Sequence, residues 1–186
     1  MKRLVCLVMS LFLLCGCSGK NEELDRVMAL RARLLAADGC TFHAEITADY
    51  GDKTYSFETE CLANEQGGIS FKVTEPESIE GVTGTVSAEG GKLTFDGEAL
   101  AFELLADGQV TPVSAPWLLV RTLRGGYVKS CGMDGEALRV AIDDSYEEDA
   151  LHLDIWLDSD DIPQRAEIVW KERRILSLDI ENFQIL

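Results

Sequence analysis

The stretch CTFHAEITADYGDKTYSFETEC, residues 40–61, predicts a β-hairpin and indicates the class of fold. Apolar and polar residues alternate on both sides of a tight turn at Tyr50 and Gly51, as expected for two antiparallel strands with one buried face. Polar residues such as His43 and Glu58 fall on the opposite face. The residues predicted on the buried face are Phe42, Ala44, Ile46, Tyr55, Phe57 and Thr59.

The same register sets Cys40 opposite Cys61 at the open end of the hairpin. In an exported chain such a pair can oxidise. We therefore expect a cross-strand disulfide, which would close a loop of about twenty residues and contribute roughly 3 kcal/mol. The alternative is a pair of reduced, buried thiols. Cys131 is then left unpaired, and we expect it to be buried.

An amphipathic helix is predicted before the hairpin. Asn21 can cap this helix, and Asp38 and Gly39 end it. Arg31 falls within the apolar sector, where its side chain either reaches the rim or points into a polar spot of a cavity. The apolar residues at helical spacing are Leu24, Val27, Met28, Leu34 and Leu35.

Short alternating runs follow the hairpin and predict further antiparallel strands. They are interrupted once, by APWLLVRTLRGG after Ser114, which predicts a short helix. The chain is thus α+β and mainly β, without the helical crossovers of a parallel sheet. We expect one strongly curved antiparallel sheet, a half-barrel of about ten or eleven strands. The N-terminal helix and the short mid-chain helix would pack on its concave side.

This order resembles the superfamily of LolA, LolB and LppX, which are periplasmic or surface-anchored half-barrels. The similarity covers nearly the whole mature chain. It includes the N-terminal helix and hairpin, FKVTEPESIEG followed by GTVSAEGGKLTFDG, the helix APWLLVRTL, and the final IPQRAEIVWKERRILSLDIENFQI. The resemblance implies an apolar cavity between sheet and helices that accepts acyl chains. The family's cavity arginine has no matching position here.

Candidate cavity residues can be named on this basis. They are apolar positions of the first helix and of the buried faces of the early strands. The set is Leu24, Val27, Met28, Phe42, Ile46, Tyr55, Phe57, Phe71, Val73, Phe95 and Phe102.

The N-terminus predicts export and a lipid anchor. Lys2 and Arg3 precede an apolar run that ends at Leu14, which has the length of a signal peptide and is too short to span a bilayer. LCGC at 14–17 resembles the lipobox of bacterial lipoproteins, a class to which LolB and LppX belong. The resemblance implies acylation of Cys17. An ordinary secretory signal is the alternative.

The expected division of the chain follows from this N-terminus. Residues 1–16 would form the signal peptide, 17–21 the lipidated tether and 22–186 a single half-barrel domain. The mature protein would lie on the extracytoplasmic face of a bacterial membrane, either the cell membrane or an outer membrane if there is one.

The charge excludes several partners. Removal of residues 1–16 takes away the charges of Lys2 and Arg3 and lowers the net charge from −16 to −18. Such a chain would repel nucleic acid and anionic headgroups, so we expect membrane contact through the lipid anchor alone. We expect a monomer.

No catalytic or metal-binding motif is present in the sequence. His43 and His152 alternate onto the polar faces of their strands, and no nucleophile elbow, HExxH or CxxC pair occurs. The acidic DSDD at 158–161 lacks the glycine and the final glutamate of an EF-hand loop. We therefore expect neither an enzyme nor a bound cofactor or metal.

Two functional hypotheses remain. In the first, the protein binds an acyl chain, lipid or lipoprotein in its cavity. In the second, the fold is an extracytoplasmic sensor that binds an envelope protein and carries no lipid, as in family relatives that control an anti-sigma factor. A cavity filled by the protein's own side chains, with no ligand, is a third possibility.

Overall fold

Two helices and thirteen strands make up the described part of the chain. The structure is a computed structural model that describes residues 21–106, 109–148 and 150–186. Helix α1 spans Glu22–Ala36 and helix α2 spans Ala115–Gly125. The strands are β1 (Gly39–Asp49), β2 (Thr54–Asn64), β3 (Ile69–Glu75), β4 (Thr83–Ser87), β5 (Gly90–Phe95), β6 (Glu98–Phe102), β7 (Leu105–Ala106), β8 (Gln109–Val110), β9 (Tyr127–Asp134), β10 (Ala137–Asp143), β11 (His152–Leu157), β12 (Pro163–Trp170) and β13 (Arg173–Ile185).

Eleven of these strands form one antiparallel sheet. Its order is β6-β5-β4-β3-β2-β1-β13-β12-β11-β10-β9, and β7 and β8 pair separately. The sheet is open, because β6 and β9 lie at its two ends and do not pair with each other. Both helices contribute side chains to the core that covers one face of the sheet. The predicted fold class is therefore confirmed.

The two helices begin where the sequence predicts. The side chain of Asn21 accepts a hydrogen bond of 3.2 Å from the backbone N–H of Leu24, which caps α1. Pro116 lies in the first turn of α2, where its missing N–H costs no hydrogen bond. Met28 and Leu35, predicted on the apolar side of α1, are exposed instead. The buried side chains of α1 are Val27, Leu30 and Leu34.

The predicted register of the first hairpin is wrong by two residues. A loop of four residues, 50–53, joins β1 to β2, so Phe42 pairs with Cys61 and Ile46 with Phe57. The longer loop is closed by a hydrogen bond from the Tyr50 N–H to the Lys53 carbonyl. A shift of two residues keeps every side chain on its predicted face, because side chains alternate with a period of two.

The predicted disulfide is also wrong in this structure. Cys40 lies opposite Ala63 rather than Cys61, and all three cysteines among the described residues are free thiols. Cys40 and Cys61 are buried on the same face of the sheet, whereas Cys131 is half-buried. The four-residue loop explains the error, because it moves the two cysteines out of direct opposition.

Candidate ligand-binding site

The buried face of the sheet, here called the inner face, is formed by rows of residues that lie opposite each other across β1 to β6. Side chains of directly paired residues point to the same side of a sheet, so each row is continuous. One row consists of Phe42, Cys61, Phe71, Gly84, Leu93 and Leu100. The next consists of Cys40, Ala63, Ile69, Val86, Gly91 and Phe102.

Side chains of the protein itself fill the space between the central strands and the helices. Leu30 and Leu34 of α1 and Leu119 of α2 are almost fully buried there, in one cluster with the inner-face residues. Six of the predicted cavity residues belong to this packed core. They are Val27, Phe42, Ile46, Phe57, Phe71 and Val73.

The other five predicted cavity residues are more exposed. Leu24 and Phe102 are half-buried. Tyr55 lies on the predicted face but at the hairpin end, where it packs edge-on against Tyr50. Met28 and Phe95 are about half exposed, at 46% and 51%. The structure therefore does not bring the eleven candidates together around one cavity.

A cleft of ≈ 640 Å³ opens at one end of the core, and we call it the helix cleft. It lies between α2, the end of α1, and the turns that join β2 to β3 and β4 to β5. Its walls are formed by Leu35, Glu65, Gln66, Gly67, Gly68, Ser87, Ala88, Glu89, Trp117, Arg121, Arg124 and Gly125. Trp117 belongs to both the core and this wall, so the cleft adjoins the packed interior.

Trp117 is fixed in position by two contacts. Its ring N–H donates a hydrogen bond of 2.9 Å to the carbonyl of Gly67 in the β2–β3 turn. The guanidinium of Arg121, one helical turn later, lies 5.1 Å from the ring centroid, within cation–π range. The indole therefore forms a rigid apolar wall with a positive charge at the rim.

Two arginines link the ends of the helices reciprocally. Arg31 of α1 donates hydrogen bonds of 2.8 Å to the carbonyls of Leu123 and Gly126 at the end of α2. Arg124 of α2 donates to the carbonyl of Leu34 in α1, at 3.2 Å. The last carbonyls of a helix lack partners within the helix and carry partial negative charge, so cations are favourable there.

These contacts explain why Arg31 lies in an apolar sector. Its guanidinium reaches the polar end of α2, and burial lowers the pKa of the group from its ordinary value. Arg124 also donates to the carbonyls of Asn64 and Glu65, at 2.8 and 3.4 Å, and so connects both helices to the β2–β3 turn.

Sequence reasoning missed Trp117 and Arg124. Both lie in a helix that was predicted, and the spacing of four residues between Trp117 and Arg121 is typical of a helical cation–π pair. The contacts of Arg124, however, depend on how two helices and a turn meet. No local sequence pattern predicts how these elements meet.

The polar clusters elsewhere have structural contacts. His152 bonds to Asp143 at 2.7 Å. Burial opposes the ionisation of Asp143, but hydrogen bonds from His152 and Lys129 outweigh it and lower the pKa of that carboxyl. In the acidic turn, Asp161 pairs with Arg26 of α1 at 2.7 Å. Within the described residues, no group of three or more His, Cys, Asp or Glu side chains is placed to hold a metal ion.

None of the described helices is both long and apolar enough to span a membrane. The residues predicted to form the signal peptide, Cys17 and most of the tether lie outside the described part of the chain.

Comparison with known proteins relates the fold to solved structures. No family model and no curated protein matches the chain in sequence. A DUF1329 family protein from Desulfovibrio piger matches with a TM-score of 0.51 and 8% identity, over 88% of this chain and 92% of that one. The chain shares the fold of this protein.

Two further matches carry the names expected from the sequence. A LolA superfamily protein from Nitrosomonas europaea has a TM-score of 0.44 and 10% identity, over 86% of this chain and 93% of that one. The lipoprotein LppX from Mycobacterium tuberculosis has a TM-score of 0.44 and 9% identity, over 89% and 96%. The structures similar to this chain thus include members of the superfamily that the sequence resembles, at low identity.

Proposed function

We propose that this chain is an exported, lipid-anchored protein of a bacterial envelope that binds an acyl chain or a similar hydrophobic ligand and catalyses no reaction. The observation that carries the proposal is the helix cleft, whose wall includes Trp117 of the core and the exposed Leu35. An apolar ligand entering there would cover Leu35 and extend the existing core.

The size and lining of the helix cleft suit such a ligand. Small-molecule sites usually enclose about 300 to 1,000 Å³ and combine apolar walls with a few polar groups. Here Leu35, Ala88 and Trp117 supply apolar surface. The charged groups of the lining are balanced, because Glu65 and Glu89 accompany Arg121 and Arg124, and Arg121 also pairs with Asp144 at 3.6 Å. The apolar wall is therefore the part of the cleft that an acyl chain would match.

Deeper entry would require the helices to move. The core beyond Trp117 is occupied by leucines of α1 and α2, and the hydrogen bonds of Arg31 and Arg124 hold the helix ends together. We therefore propose that the cleft accepts the end of an acyl chain in this state. A longer chain would be accommodated only if α1 and α2 separated.

The lipid anchor is proposed at Cys17, with residues 1–16 removed as a signal peptide and residues 17–21 as the tether of the 22–186 domain. The lipobox-like LCGC supports this assignment. Two or more acyl chains give stable anchoring, whereas one is marginal. In its native host, the wild-type chain should incorporate labelled palmitate and the Cys17→Ser variant should not. Equal labelling of the two, or labelling of neither, would contradict lipidation at Cys17.

The ligand proposal can be tested through the fluorescence of Trp117. In a soluble Cys17→Ser protein that also carries Trp156→Phe and Trp170→Phe, Trp117 is the remaining tryptophan. Dibrominated stearate should quench it in a saturable way, because bromine quenches only at close range. Native mass spectrometry of the same protein purified from its host should show a bound lipid mass.

A pair of variants gives the matched control. Leu35→Glu introduces a charge into the cleft wall and should weaken stearate binding by about tenfold or more. Leu62→Glu makes the same change at an exposed leucine on the outer face of β2, the face turned away from the helices, and should leave binding unchanged. An absence of quenching and of bound mass would overturn the proposal and favour the protein-binding sensor.

A further inference from the structure

Strand β6 is an open edge of the main sheet, protected only by its length of five residues and by Glu98, which lies in the inner-face row of Phe95. In the described structure β6 pairs only with β5, so one side of its backbone is left without a neighbouring strand. Natural proteins usually protect such an edge with lysine, proline, a bulge or a covering element. The β6 sequence EALAF contains neither lysine nor proline, and its register with β5 is regular.

The other edge, β9, differs in three of these respects. It carries Lys129, which pairs with Asp143 at 3.1 Å, and its register with β10 is shifted at Ala141. Helix α1 also packs near β9, and Arg26 approaches the sulfur of Met133 at 3.9 Å. Of the two sheet edges in the described structure, β6 is therefore the one that is open to an added strand.

Apolar side chains of the inner face are left exposed beside β6. Leu100 is 65% exposed and ends the row that begins at Phe42, and Phe95 of β5 is 51% exposed. An additional strand beside β6 would continue the inner-face rows and cover Leu100, whereas Phe95 lies one strand further in, in the same row as Glu98. In such strand addition, backbone hydrogen bonds supply affinity and alternate side chains supply specificity.

The charges around β6 indicate the kind of partner. Asp96 and Glu98 lie at one end of the strand and Glu103 at the other, all exposed. Antiparallel pairing with a second copy would bring the acidic ends of both copies together, and like charges across a strand pair are unfavourable. A segment with basic residues at both ends would instead complement them.

We propose that β6 accepts, as an added strand, an extended segment of a partner protein that has alternating apolar residues flanked by lysine or arginine. The partner segment would pair with β6 along its free edge, place an apolar side chain beside Leu100, and set its basic ends against Glu98 and Glu103. This interaction does not depend on a ligand in the helix cleft.

The test uses two synthetic peptides and the soluble Cys17→Ser protein. The peptide Lys-Lys-Val-Thr-Val-Thr-Val-Lys-Lys should bind, and hydrogen exchange should show new protection in β6 and none in β9. The peptide Glu-Glu-Val-Thr-Val-Thr-Val-Glu-Glu should bind about tenfold more weakly or not at all. Equal binding of both peptides, or protection outside β6, would overturn the proposal.

Charge reversal gives the decisive comparison. The double variant Glu98→Lys and Glu103→Lys should exchange the peptide preference, so that the acidic peptide binds more tightly than the basic one. The matched control, Glu58→Lys with Glu60→Lys, changes the net charge equally on the exposed outer face of β2 and should keep the original preference.

A second variant tests the apolar contact. Leu100→Asp should weaken binding of the basic peptide by about tenfold or more, whereas Leu62→Asp, at another exposed leucine, should not. Thermal melting of each variant verifies folding. If the protein dimerises through β6 in sedimentation experiments while neither peptide binds, the occupant is a second copy and the proposal is wrong.

Discussion

At the scale of single residues, Arg31 shows how a buried cation can be compatible with an apolar helix face. Its guanidinium donates to Leu123 and Gly126, carbonyl groups that α2 itself cannot satisfy. The sequence marks Arg31 as inconsistent with its helix, and the structure gives the reason. Arg124 makes the reciprocal contact, from α2 to the Leu34 carbonyl of α1, without any such mark in the sequence.

Replacing Arg31 by methionine should therefore destabilise the protein. Methionine has a similar length but no donor, so the carbonyls of Leu123 and Gly126 lose their partners at a cost of about 1 to 3 kcal/mol. Urea unfolding followed by circular dichroism would measure the loss. Arg33→Met is the control, because Arg33 is exposed and makes one long hydrogen bond of 3.4 Å, to the carbonyl of Asp161.

An equal loss in the Arg31→Met and Arg33→Met variants would contradict this account. Arg31→Lys should recover part of the stability, because a lysine can still donate to one of the carbonyls.

The cysteines should differ in reactivity in the folded protein. Burial raises the pKa of Cys40 to about 11 and that of Cys61 to about 12, so few thiolates form near neutral pH. Cys131 is half-buried and should react first with a maleimide, with Cys40 and Cys61 following only on unfolding. Mass spectrometry after labelling, without a reducing agent, counts the modified residues.

Protection of Cys40 and Cys61 after denaturation would show that they are joined. The Cys131→Ser variant is the control, since it should lack the fast phase and retain the two slow thiols.

At the scale of elements, the first hairpin shows what alternation can and cannot predict. Alternation gives the face of each residue in β1 and β2, and these faces are correct. The register depends on the length of the connecting loop, and YGDK can be divided into strand and turn in more than one way. The expected disulfide depended on that register and was wrong with it.

The helices show the same limit: a local sequence pattern predicts which residues are buried but not what the exposed residues face. The α1 pattern predicts Val27 and Leu34 as buried, correctly, but it cannot show that Leu35 faces a cleft. That depends on turns of β2–β3 and β4–β5, which are distant along the chain. The element order was therefore predictable, whereas most of the candidate site was not.

Gly84 lets the ring of Phe71 and the backbone of β5 approach the backbone of β4 closely. A Cβ at Gly84 in β4 would lie 2.6 Å from the Phe71 ring and 2.7 Å from the carbonyl oxygen of Lys92. The backbone atom cannot yield easily, so we expect Gly84→Ala to destabilise the protein by about 1 to 3 kcal/mol. Denaturant unfolding measures this loss.

Gly132→Ala in β9 is the matched control, because nothing lies within 4 Å of a Cβ built there. A loss at Gly132 as large as that at Gly84 would show that the close contact with Phe71 and Lys92 is not the cause.

At the scale of the whole molecule, α1 runs from the predicted tether to the helix cleft. Along its length it packs beside the acidic β11–β12 turn, where Arg26 pairs with Asp161 and Arg33 donates to the carbonyl of the same residue. Near its end, Leu35 lines the helix cleft. The 15 residues of α1, at about 1.5 Å each, separate the start of the helix from the cleft by roughly 20 Å. If Cys17 is the anchor, the chain leaves the membrane only a few residues before the start of α1.

The orientation on a membrane can be predicted from this. In the lipidated protein on vesicles that contain nitroxide-labelled lipids, a fluorophore at position 159, introduced as Ser159→Cys, should be quenched more strongly than one at position 66, introduced as Gln66→Cys. Both residues are exposed; Ser159 lies in the turn that contacts Arg26 and Arg33 of α1, and Gln66 lies in the wall of the helix cleft. Equal quenching would indicate that the domain has no fixed orientation.

If Cys17 anchors the protein as proposed, the direction of α1 determines which membrane its cleft can reach. A protein tethered at the start of this helix would hold its cleft toward the aqueous space and away from its own bilayer. It would then be poorly placed to extract a lipid from the leaflet in which it is anchored. It would be well placed to receive one from a diffusing donor, or from a membrane on the other side of the gap.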